Sequence, residues 1–188
     1  MEYVLLVVVG VLLVSGILFA LLYIPLPKGK RFKTSDFLIV FDDVEANQVL
    51  VQSARLVSES FRDYAESADS ETRGATQAVL ADKPVIHILP KRKLPQYRLN
   101  GDRAVAAMWT EVSSAFRVRR RPVIIVVWER IDSARKFGLL VIHEMLHGLS
   151  SALGRGLDHQ HKDVFLWYDL RESVTELYTQ KLKERGYA

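Results

Sequence analysis

The chain has 188 residues, enough for one ordinary domain and an appendage, and a formal net charge of +4. It contains no cysteine, which excludes disulfides, thiolate zinc sites and a cysteine nucleophile together. The basic excess is mild and is not interleaved with aromatic residues, so no single-strand nucleic-acid groove is indicated and no specific nucleic-acid partner is expected.

Apolar residues are concentrated at the front. Residues 4–24 carry no charge, and an apolar run of that length crosses the ~30 Å hydrocarbon core as one helix. A cleaved secretory signal needs a basic start and a shorter apolar core, whereas this chain begins with Met1, Glu2 and Tyr3. A buried core helix would show polar residues along one face. Residues 1–27 therefore read as a transmembrane anchor, closed by Pro25 and Pro27, because proline cannot continue a helix. Lys28, Lys30, Arg31 and Lys33 follow it, and no lysine or arginine precedes it. The positive-inside rule then predicts a single-pass protein with its N-terminus outside and residues 28–188 in the cytoplasm, touching membrane lipid at the junction.

Residues 37–41, Phe-Leu-Ile-Val-Phe, read as a first strand. Asp42 or Asp43 is expected to cap the next helix. Leu50, Ala54, Val57, Phe61 and Tyr64 recur at helical steps, which predicts an amphipathic helix over 44–68. The polar stretch 67–74 reads as a loop. A short strand is expected over 85–89, closed by Pro90. Asn100-Gly101 is a hairpin signal, since both residues tolerate positive φ. It would join a strand near Tyr97 to one over 104–110. The Val-Ile-Ile-Val-Val run within 122–128 reads as a buried strand. Asp132 or Ser133 then caps a helix over 134–153, which Gly154 and Gly156 end. A polar turn over 158–162 and a last helix over about 170–185 complete an α+β order.

The chemistry lies on the 134–153 helix. His143 and His147 stand four residues apart, so one turn brings both imidazoles to one face, where both can bind one tetrahedral zinc. Glu144 lies beside them, placed to act as general base. A catalytic zinc needs a third protein ligand and an open position. Two donor sets lie downstream. Glu172 and Glu176 share a face of the last helix, where one could bind metal and the other orient a histidine. His159 and His161 lie on the preceding turn, and either could instead hydrogen-bond an oxyanion. Tyr168 and Tyr178 are weaker candidates for that task.

His143-Glu144-x-x-His147 followed by Glu172-x-x-x-Glu176 resembles the gluzincin clan of metallopeptidases, in which HExxH precedes an acidic pair on a separate helix. The resemblance spans about 37–188 and is specific at the two motifs. It implies a zincin-like domain: a small mixed sheet, a backing helix, the HExxH helix and a C-terminal helix. It also implies a zinc metallopeptidase acting on peptide or protein substrates. Carried over, His143, His147 and Glu172 become the ligands of one Zn2+ per chain, Glu144 the catalytic base and acid, and Glu176 an orienting group where the clan more often has aspartate. The metzincin pattern is absent, because Leu153 stands where its third histidine would be. SprT-like proteases, which act on DNA-bound proteins, are also similar and would take the third ligand from His159 or His161. In zincins an edge strand pairs with the substrate by strand addition. Here Ala104, Ala106 and Ala107 would let a substrate approach the 104–110 strand closely. The competing expectation is a non-catalytic membrane protein with a structural or degenerate zinc site.

Overall fold

The computed structural model describes residues 28–97, 107–112, 121–154 and 164–187. The expected anchor falls on 1–27 and lies outside them. Among the described residues no helix is long and apolar enough to cross a membrane.

Five strands form one mixed sheet. They are β1 (Lys30–Lys33), β2 (Leu38–Phe41), β3 (Val85–Leu89), β4 (Ala107–Val112) and β5 (Arg121–Val127), in the spatial order β1-β2-β3-β5-β4. The three inner strands run parallel, with Ile39 opposite Ile86 and Ile86 opposite Ile124. Each edge strand is antiparallel, β1 to β2 and β4 to β5. Strands buried on both faces read as near-continuous apolar runs; the Val123–Val127 run of β5 is of that kind, and so is Val85–Leu89 apart from His87.

Four helices cover one face: α1 (Gln48–Ser67), α2 (Ser70–Ala81), α3 (Ala134–Ala152) and α4 (Val164–Glu184). Their apolar stripes pack with Ile39, Phe41, Ile86, Ile88, Ile124 and Val126 into the main core. Strand alternation sends Val40, Val85, Leu89, Val123, Ile125 and Val127 to the other face. There they meet Leu94 and Tyr97 of a 3-10 segment, Lys91–Tyr97.

Several local expectations change. Asp42 and Asp43 cap nothing. Asp43 takes φ 59°, a conformation aspartate tolerates better than most residues, and turns the chain out of β2. Asn47 then caps α1, accepting from the Val49 amide at 2.8 Å. The stretch read as a loop over 67–74 starts α2 instead. Asp69 accepts from the Glu71 and Thr72 amides at 2.9 Å, satisfying two of the N–H groups a helix start leaves open. The basic residues at 30–33 form β1 rather than a plain flank. Tyr97 ends a 3-10 segment rather than a strand. The Asn100-Gly101 turn, Ala104 and Ala106 lie outside the described residues. Ala107 opens β4, paired with Val126 at the sheet edge.

Candidate metal centre

α3 begins at Ser133, whose hydroxyl accepts from the Lys136 amide at 3.2 Å. Phe137, Val141, Ile142, Met145, Leu146 and Leu149 turn its apolar side into the core. The helix ends at Gly154, which adopts φ 65°, a left-handed conformation glycine takes without steric cost. His143 and His147 lie on the half-buried stripe between these faces, alongside Leu139, Leu140 and Ser150.

The position of α3 is fixed by a close crossing with α4 and α1. The buried side of α4 is the i, i+4 series Leu170, Val174, Tyr178 and Leu182. The Tyr178 hydroxyl donates to the Ala134 carbonyl at 2.8 Å, and Ser53 of α1 lies 2.8 Å from the same hydroxyl. Burial pushes the Tyr178 phenol up to about 12, so it remains a donor. Its ring lies against Gly138, where an added Cβ would stand 2.1 Å from Cζ and from the hydroxyl oxygen. The expectation that Tyr178 serves an oxyanion is therefore corrected: it is a core residue, and its hydroxyl is engaged with Ser53 and the start of α3.

The two motif imidazoles face each other, with Nε2 atoms 3.2 Å apart and rings inclined at 82°. Two nitrogens bound at about 2.0–2.1 Å to one tetrahedral zinc stand about 3.3 Å apart. The pair is thus already spaced to hold one ion. Glu144 is nearly buried, at 5% exposure. Its carboxylate and the two imidazole nitrogens lie within 4.8 Å of one another, a group that could hold a metal ion.

The downstream candidates divide. Glu172 and Glu176 are exposed, on the side of α4 opposite its buried series, and neither belongs to the His143–Glu144–His147 group. Tyr168 is also exposed. His159 and His161 lie outside the described residues. β4, the expected substrate strand, is an edge of the sheet and packs beside α3.

A second polar cluster was not anticipated. His87 of β3 is wholly buried beneath Tyr97, on the sheet face away from α3. Its Nε2 lies 3.1 Å from Asp42, which also accepts from Lys93 at 2.7 Å, while His87 Nδ1 has no partner. Burial pushes the imidazole down to about 4, so it is neutral near pH 7. The available signal was one histidine inside an apolar strand, Val-Ile-His-Ile-Leu. A cavity of about 530 Å³ between the β1–β2 turn, α1 and α2 shares no residue with the metal group. Arg62 there is paired with Asp36, and Arg73 donates to the Ala65, Glu66 and Ala68 carbonyls.

Comparison with protein-family models, curated proteins and solved structures finds no match.

Proposed function

We propose that this chain is a zinc-dependent metallopeptidase, held in a membrane by residues 4–24 with its catalytic domain in the cytoplasm. The observation that carries the proposal is the pair of imidazole Nε2 atoms 3.2 Å apart, with the Glu144 carboxylate in the same group. Two imidazoles and a nearby acid suit zinc, which supplies a water that ionises near neutral pH and a Lewis acid for the peptide carbonyl. His143 and His147 would hold the ion. Glu144 takes the proton of the attacking water as the C–O bond forms. It returns that proton to the departing amine as the C–N bond breaks.

Of the third-ligand candidates Glu172, His159 and His161, Glu172 is exposed and outside the group, which favours the two histidines. β4 receives the substrate: among the described residues it is the outer strand of the sheet beside the motif helix, and an outer strand can add an extended peptide through its backbone.

The test uses the full chain in detergent, purified without affinity metals. Elemental analysis is expected to give one zinc per chain. Glu144→Gln is expected to keep that zinc and to lower hydrolysis of a labelled unfolded protein by at least about 10²–10⁴-fold. Hydrolysis at the wild-type rate would overturn the mechanism. Full zinc without hydrolysis in the wild type would make the site structural.

A further inference from the structure

The junction between the apolar run and the sheet is short in sequence. From Ile24 to Gly29 the fully extended chain spans at most about 18 Å. Gly29 is then pinned on β2. It adopts φ 126°, and an added Cβ would stand 2.1 Å from the Phe41 carbonyl oxygen, so only glycine fits this approach. β1 follows at once, in register with β2 from Lys30 opposite Phe41 to Lys33 opposite Leu38. The basic start of the sheet therefore lies within about 18 Å of the end of the apolar run.

The charged residues of β1, and Lys28 before it, have one sign. Lys28, Lys30, Arg31 and Lys33 are all exposed. No acidic residue occurs between Glu2 and Asp36, and Asp36 is buried and paired with Arg62. Lys30 and Phe32 point to the helical face, and Arg31 and Lys33 to the other, so cations flank both sides of one open strand. Lysines on an edge strand also serve to prevent strand–strand aggregation, a role that needs no lipid.

We propose that β1 is a lipid-contact strand that seats the domain edge-on against anionic headgroups, with Lys28, Lys30 and Lys33 on lipid phosphates and carboxylates. The inference rests on residues 4–24 being an anchor. Anionic lipid on the cytoplasmic leaflet attracts basic groups this close to the surface. The seat fixes the orientation of the sheet, and with it the height of His143 and His147 above the bilayer. Accessible substrates are then those that present an extended segment at that height.

Because the chain lacks cysteine, a single fluorophore can be placed at Ser35→Cys, exposed in the turn after β1. The labelled full chain is reconstituted into nanodiscs of phosphatidylcholine, with or without phosphatidylserine, containing a headgroup quencher. Quenching is expected to be stronger with phosphatidylserine and to fall at molar salt. Combined Lys28→Glu, Lys30→Glu and Lys33→Glu should abolish the difference, since each cation contributes about fivefold to the seated-to-free ratio and three contribute about a hundredfold. The salt arm uses the unmutated charge set and stands even if the triple variant misfolds. Quenching indifferent to lipid charge and salt, in a chain that resists carbonate extraction, would overturn the seat and leave the anchor. Release by carbonate would overturn both.

Discussion

Gly138→Ala tests the crossing that positions the metal helix. The new methyl would stand 2.1 Å from Tyr178 Cζ and from its hydroxyl oxygen. Neither atom belongs to a flexible tail, because Tyr178 is wholly buried and its hydroxyl is held by Ser53 and the Ala134 carbonyl. Either α3 and α4 separate or the ring tilts and both hydrogen bonds are lost. Overpacking of this kind costs about 1–3 kcal/mol, and each lost hydrogen bond costs about 1 kcal/mol. Alanine in place of a helical glycine returns about 1 kcal/mol. The expected net loss is about 2–4 kcal/mol, read from the urea midpoint of the full chain in mild detergent. In a Tyr178→Leu background the steric cause is gone, so Gly138→Ala should become neutral or stabilising. A midpoint equal to or above wild type for the single variant would refute the crossing.

His87 makes stability pH-dependent. Its folded-state value is pushed down to about 4 from an ordinary 6.5, so between those values the unfolded chain binds more protons. Stability is therefore complete above pH 6.5 and declines as pH falls toward 4, by about 3 kcal/mol. His87→Leu should flatten that decline in urea titrations, and an unchanged slope would remove His87 as its cause. Glu172→Ala is expected to leave zinc content near wild type, whereas His159→Ala or His161→Ala lowers it. Zinc lost only with Glu172→Ala would return the α4 carboxylate to the site.

Periodicity made the broad plan readable. Apolar runs marked β2, β3 and β5, the second broken only by His87, and the Leu50–Phe61 spacing marked α1. Ser133 and Gly154 bracketed α3 through cap chemistry that needs no tertiary information. The motif pair was readable because four residues make about one helical turn. What the sequence concealed depends on partners distant along the chain. β1 is a strand only because β2 accepts it, and four basic-flank residues carry no alternation strong enough to say so. α2 is short, and its Asp69 cap lay inside a polar stretch. Tyr178 resembled a site tyrosine because its engagement with Ser53 and Gly138 is tertiary. The facing of Glu172 depends on how α4 is rotated, and Leu170, Val174, Tyr178 and Leu182 set that rotation.

The Tyr178 crossing has a consequence for the order in which the protein matures. Ser53 and Tyr178 are separated by 125 positions, and Ala134 and Tyr178 by 44. During synthesis the chain emerges N-terminus first, so His143 and His147 leave the ribosome before the tyrosine that locks their helix against α1. A nascent chain can carry the complete motif while α3 is not yet clamped. Assembly of the candidate metal site is thus a late event, tied to docking of α4, and truncation before Tyr178 would yield a chain that has the motif but lacks its clamp.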